Sequence, residues 1–284
     1  MNVRADLKAL KPVLDQFYRD FDFAGTVVRD PIEFPHAYPA PEDREIAGLL
    51  AAAFAYGNVN LFKPVVRRLL SAMGGSPFRF IRKFNIDRDC RLFAGIKYRF
   101  NENADIVAFF YVLHELLKKA GSVEAAFRKH YRNDDINIGN ALIGLINDML
   151  AIDTSPVYGS NLKPPGLRQL ITSPDKGSAC KRMNLYLRWM IRDKDIDFGV
   201  WKDIPKDRLI IPLDTHIGRI SRCLGLTGRA SNDWKTAVEI TASLKKLDPE
   251  DPLKYDFALC HQGISKACSA KKCEGCRLFL NPSP

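Results

Sequence analysis

The chain has 284 residues, 46% hydrophobic and 10% aromatic, which excludes a disordered chain and is enough for a large core or for two lobes sharing a cleft. Its formal charge of +10 favours a polyanionic partner, because phosphate contacts release counterions, although a solvated basic face would give the same balance. No run reaches the ~18 apolar residues of a membrane helix, and Met1 to Lys11 lacks a signal-peptide core, so a soluble cytoplasmic protein with no membrane partner is expected.

Pro41-Glu42-Asp43 opens a helix through Ile46, Leu49, Leu50 and Phe54 that ends near Gly57, with acidic residues in its first turn. Val59 to Met73 continues as a second helix and stops at Gly74-Gly75. In the basic stretch that follows, Arg79, Arg82, Lys83, Arg88, Arg91, Lys97 and Arg99 are interleaved with Phe78, Phe80, Phe84, Phe93, Tyr98 and Phe100. Asn103 to Ala120 carries Ile106, Phe109, Phe110, Leu113 and Leu117 on one stripe, with Gly121 after its end. Asp135 to Leu150 repeats that spacing with Ile138, Leu142, Leu145 and Met149.

A loop rich in Pro, Gly and Ser runs from Thr154 to Gly166. A short helix (Leu167 to Ile171), a turn (Ser173 to Gly177) and a helix from Ser178 to about Arg192 come next. Residues 193 to 211 form a charged connector, and three further helices are expected near 215–224, 232–246 and 251–263. No alternating strand pattern of useful length is present, so the chain is expected to be all-α. The connector is the natural lobe boundary, with one lobe over 44–192 and the other built from 1–43 and 205–284.

The most informative segment is Pro212-Leu213-Asp214-Thr215-His216-Ile217-Gly218-Arg219-Ile220, an apolar lead-in, an Asp and an apolar-periodic run. Asp214 reads as a helix N-cap, and Lys181 lies thirty-three residues before it in another helix. A lysine and an ionised aspartate brought together suit imine chemistry on a sugar. Taken singly, Asp214 is a plain cap and Lys181 a solvated surface lysine. Trp189, Phe198 and Trp201 are the aromatics near enough in sequence to hold a base. Trp189 also fits a core stripe with Met183, Tyr186 and Met190.

Asp214-Thr215-His216-Ile217-x-Arg219-Ile220 resembles the segment carrying the catalytic aspartate of the helix-hairpin-helix DNA glycosylases, which include endonuclease III, adenine glycosylase and the 8-oxoguanine glycosylases. Lys181-Arg182-Met183-Asn184-Leu185-Tyr186-Leu187-Arg188 is similar to the helix bearing the catalytic lysine of bifunctional members. The resemblance covers residues 165 to 276, and the whole chain resembles a bacterial family of unknown function placed next to these glycosylases. It implies a two-lobed all-α fold with an interlobe cleft, a monomer, and double-stranded DNA as partner. It also implies base-excision repair by a glycosylase and abasic-site lyase acting through Lys181 and Asp214, on an oxidised purine such as 8-oxoguanine. Gly177 and Ser178 at the hairpin, with Arg182, Arg188 and His216, are the implied DNA contacts; His216 also reads as structural. Arg219 is expected to pair with a carboxylate, and Tyr56-Gly57-Asn58 falls where these enzymes wedge DNA.

The chain departs from that pattern in places. The family hairpin carries two glycines one residue apart, whereas here only Gly177 sits in the turn. The spacing of thirty-three is closer to that of the archaeal 8-oxoguanine glycosylases. Seven cysteines in a chain without a secretion signal argue against a disulfide framework. Cys273-Glu274-Gly275-Cys276 resembles the iron–sulfur loop of endonuclease III, with Cys268 and Cys260, or His261, completing the set. A [4Fe–4S] cluster or zinc on Cys260, Cys268, Cys273 and Cys276 stands against a metal-free vestige with free thiols. The weakened hairpin and incomplete cysteine set favour the alternative, a non-catalytic nucleic-acid-binding protein on the same scaffold.

Overall fold

Five of the longer described helices start where a side chain can accept the amides that the first turn leaves unpaired. The computed structural model describes residues 6–264, and among them the regular structure is helical, with only two isolated β-bridges, Tyr98 to Asn101 and Ser178 to Asp233. Helix α1 (Leu7–Arg19), absent from the sequence expectations, opens on Asp6, whose carboxylate takes the amides of Lys8 and Ala9. Helix α2 (Pro41–Phe54) begins with proline and two acids, and α3 (Val59–Ala72) is capped by Asn58. Helix α4 (Asn103–Ala120) carries a reciprocal Glu102–Asp105 capping box and ends at Gly121, whose φ of 88° suits a residue without Cβ. Helix α5 (Gly139–Ala151) begins later than Asp135, because the Asp135 carboxylate instead accepts from the Arg132 amide and from Asn140 Nδ2. After two short helices, Ser155–Tyr158 and Pro165–Leu170, the longer helices among the described residues are α6 (Lys181–Ile191), α7 (Thr215–Cys223), α8 (Trp234–Lys245) and α9 (Asp256–Ile264).

The described residues divide into two compact units, Thr26–Ser173 and the segment up to Gly25 joined with that from Pro174 onward. In the unit Thr26–Ser173, α4 packs against α5 and against short helices at Pro77–Arg82 and Val123–Arg128. Phe54, Phe93, Phe109, Phe110 and Phe127 are fully buried there, each adding about 1.5–3 kcal/mol by leaving water. The buried Glu45 carboxylate takes the Val123 and Glu124 amides, which ties α2 to the start of the Val123–Arg128 helix.

In the other unit, Asp15 on α1 accepts from Tyr255 Oη at 2.6 Å and Lys254 Nζ at 2.8 Å, and α7 packs on α9. A side chain at Gly263 on α9 would press on His216 Cβ at 2.7 Å, so the glycine permits that approach. The division falls at 25/26 and 173/174, whereas the sequence expectation placed it in the connector. Lys181 and Asp214 therefore share one unit. The reason is that the connector is stitched to α6: Phe198 N and Trp201 N donate to the Trp189 and Met190 carbonyls. Among the described residues no helix is long and apolar enough to cross a membrane.

Two buried guanidinium groups complete the stitching. Arg188 meets Asp197 at 3.2 Å and Asp256, while Arg192 meets Asp195, Asp197 and Asp251 at 2.7–3.0 Å. Replacing Arg188 by Leu would leave the fully buried Asp256 without its cation. The expected loss is about 3–5 kcal/mol in urea unfolding. A loss under about 1 kcal/mol would mean that the network does not hold the unit together.

Candidate functional site

Helix α6 starts at Lys181 and not at Ser178 because Ser178 bridges to Asp233 and Cys180 adopts a left-handed φ of 47°. Ser178 Oγ accepts the Cys180 amide at 3.1 Å, which steadies this turn. Positions 181, 184, 188 and 192 then recur at helical spacing and share one face. Helix α7 starts at Asp214, after the buried Ile211 and Leu213 of its lead-in.

The two carboxylate oxygens of Asp214 are used differently. Oδ1 accepts the His216 and Ile217 amides, both at 2.9 Å, which makes Asp214 the N-cap of α7. Oδ2 lies 3.1 Å from Lys181 Nζ and 3.9 Å from Cys260 Sγ. Burial by itself would raise this carboxyl, but the Lys181 charge, the Ile217 amide and His216 outweigh it and hold Asp214 below its ordinary value. Asp214 is therefore an anion at neutral pH, 15% exposed, beside an amine that is 35% exposed.

The structure places the other expected residues as follows. Gly177 is exposed with φ 76°, but its amide is spent on the Pro174 carbonyl at 2.9 Å, so this turn does not present that amide to a phosphate. Ser178 and Arg182 are half-exposed beside Lys181, and His216 is half-buried under Gly263. Arg188 is a correction: at 2% exposure, with Asp197 and Asp256 on its guanidinium, it is a core cation and not a phosphate ligand. Trp189 and Trp201 are likewise corrected, because both are fully buried and Trp201 meets Tyr186 edge-on at 5.6 Å, leaving no open face for a base. Phe198 is half-buried, its amide on the Trp189 carbonyl. Arg219 donates to the Gly263 carbonyl at 3.2 Å rather than to a carboxylate. Cys260 turns its thiol towards Asp214, and Cys268, Cys273 and Cys276 lie outside the described residues.

Sequence reasoning missed the acidic partners. Asp256, fully buried on α9, is pushed up to about 6 by burial, which Arg188 only partly offsets, while Asp214 and Asp197 push it further. Asp197 is raised by burial too, against the pull of both arginines. The four-residue step from Arg188 to Arg192 puts both arginines on one face of α6, but nothing in the sequence marks Asp197 or Asp256 as their partners. A surface groove of about 400 Å³ lies along that connector, walled by Ile191, Trp201, Lys202, Pro205, Lys206 and Pro249, and does not include Lys181 or Asp214.

Residues 30–265 match a family described as DUF2400, protein of unknown function, and the chain belongs to that family. No curated protein and no solved structure matches it.

Two expectations follow. Asp214→Ala removes the cap and should cost about 1–2 kcal/mol in urea unfolding, whereas Asp214→Asn, which can still cap, should lose less. Equal losses would mean that the charge, and not the cap, carries the stability. Asp256 has a folded value of about 6 against an ordinary 3.8, so its contribution favours folding below pH 4 and is lost as pH rises through 6. Relative to Asp256→Asn, the wild type should therefore lose up to about 3 kcal/mol between pH 4 and pH 7, at about 1.4 kcal/mol per pKa unit. A pH-independent difference between the two proteins would contradict that assignment.

Proposed function

We propose that the chain is a DNA base-excision glycosylase and abasic-site lyase, with Lys181 as nucleophile, Asp214 as electrostatic partner, and an oxidised purine such as 8-oxoguanine as the favoured substrate. The observation that carries this reading is the 3.1 Å approach of Lys181 Nζ to a carboxylate already fixed by two amides. Breaking a C1′–N bond passes through an oxocarbenium-like state, and an anion held at that place stabilises it without rearranging. The bond electrons leave with the base, which takes up a proton. A neutral Lys181 amine then attacks C1′ and gives up a proton, and cleavage of the C1′–O4′ bond opens the sugar, leaving O4′ as a hydroxyl and C1′ as an imine from which β-elimination cuts the strand. The +10 charge suits a polyanion and the exposed turn at Gly177 adjoins the site, although its amide is already bonded.

One observation favours the second reading, a non-catalytic nucleic-acid-binding protein. An amine paired with an ionised carboxylate is favoured in its protonated form, which cannot attack carbon. A cluster or zinc on the four cysteines would be structural in either reading. Cys260 directs its thiol at Asp214, and no step above runs through a metal.

The test is borohydride trapping with duplex DNA carrying an abasic site or 8-oxoguanine, using wild type, Lys181→Gln and Asp214→Asn. The expected result is a covalent adduct with wild type, none with Lys181→Gln, and at least a hundredfold slower trapping of 8-oxoguanine DNA with Asp214→Asn. No adduct with wild type, while DNA binding persists in all three, selects the binding protein.

A further inference from the structure

The unit Thr26–Ser173 presents a stiff aromatic turn that the chemistry at Lys181 does not use. Tyr98 and Asn101 exchange both backbone hydrogen bonds at 2.9 Å, which leaves Arg99 and Phe100 at the corner of a two-residue turn. Arg99 has a φ of 49°, a left-handed conformation that costs an arginine about 1 kcal/mol or more and persists only where its surroundings hold it. Those surroundings are specific. Tyr56 Oη donates to the Tyr98 carbonyl at 2.9 Å, Tyr98 Oη donates back to the Tyr56 carbonyl, and the fully buried Asn101 donates to the Gly166 carbonyl at 2.7 Å. Gly57 leaves the space that Arg99 fills, since a side chain there would collide with the guanidinium.

This scaffold holds a phenyl ring out in water. Phe100 is 64% exposed, with the Tyr56 ring nearly parallel to it at 11° and 6.3 Å, and the Arg99 guanidinium lies 5.4 Å from the Phe100 ring. Arg91, Lys97 and Arg99 are exposed along the same stretch of chain, and no carboxylate occurs between Cys90 and Asn101. A rigid, proud aromatic face set among cations matches an unpaired nucleobase and its phosphates. Base–aromatic stacking adds about 1–3 kcal/mol per base, and the cations track the backbone. An acidic protein would be served by the cations alone, and a membrane would need a broader apolar face.

We propose that the 98–101 turn is a stacking platform for an unpaired DNA base, with Phe100 as the stacking ring and Arg99 and Lys97 as phosphate contacts. This rests on the nucleic-acid reading above but on neither Lys181 nor Asp214.

The test uses the full chain and a fluorescent oligothymidylate of twelve nucleotides, followed by anisotropy across a salt series. Phe100→Ala should weaken binding about 5- to 100-fold with its salt slope unchanged, and Phe100→Trp should restore it. Arg99→Gln should flatten the logarithmic salt slope by about 0.7. Because Phe100 is exposed, its replacement leaves the fold intact, which a thermal melt checks. The proposal is overturned if Phe100→Ala binds within twofold of wild type, if tryptophan gives no rescue, or if polyglutamate displaces the oligonucleotide as well as unlabelled DNA does. Failure of the wild type to bind any DNA would sink the nucleic-acid reading as a whole, whereas normal wild-type binding untouched by Phe100→Ala sinks the platform alone.

Discussion

The geometry of the candidate site depends on the two buried arginines of α6. Arg188 and Arg192 are nearly inaccessible and gather Asp195, Asp197, Asp251 and Asp256 around them. Those acids come from the connector, from the segment before α9 and from α9 itself. The pairs thus fix the height and rotation of α6 against the elements it touches. Lys181 lies two turns above Arg188 on the same face, so the register that seats the arginines also seats the lysine at Asp214. Buried ion pairs are a poor source of net stability, because desolvation cancels much of the attraction, but they tolerate few alternative registers. That is the property a site needing one particular lysine–aspartate distance requires.

The same stripe separates two aspartates of opposite behaviour. Asp214 has two amides and a lysine to itself and stays ionised, whereas Asp256 shares Arg188 with Asp197 and is held up to about 6. Four carboxylates face two guanidinium groups, so full ionisation would leave the network with excess negative charge in a region of low dielectric. Below about pH 6 a proton on Asp256 relieves that excess. Asp214 also helps to push Asp256 up, so the charge at the site and the protonation of the network beneath it are coupled.

What could be read in the sequence was local. Asp214 as a cap, the stripe of α4 and the glycine ending it are decided by residues within one or two turns, and the helices there follow the pattern closely. Long-range partners were not legible. Nothing in the charged connector marked its acids as buried, and the apparent lobe boundary proved to be a strap hydrogen-bonded to α6. Arg188 differs from its expected role for a related reason: in sequence, a basic residue near a lysine looks like part of a phosphate-binding face, and only the fold supplies Asp197 and Asp256 as its partners. Nearness in sequence makes Trp189 and Trp201 candidate base holders, but periodicity along α6 favours the core position for Trp189. The lysine–aspartate proximity follows from family resemblance and not from any spacing rule, since a separation of thirty-three residues carries no geometric information.

Under the proposed chemistry, the ion pair constrains the order of events. Lys181 begins as the partner of an anion that is a weak base, so Asp214 is unsuited to take the proton that the amine must lose. Attack by Lys181 cannot come first. Departure of the base can, because it needs only the negative charge that Asp214 already offers, and it produces a basic nitrogen next to the amine. That nitrogen is the natural acceptor for the Lys181 proton. The resulting sequence is dissociation, proton transfer to the leaving base, then capture of C1′ by the neutral amine. On an abasic site no departing base exists, so another acceptor must serve. Cys260 Sγ meets the same Asp214 oxygen as Lys181, but a thiol that still holds its own proton cannot fill that role. A chain built this way would favour intact damaged nucleotides over abasic sites, the reverse of what a pure lyase would show.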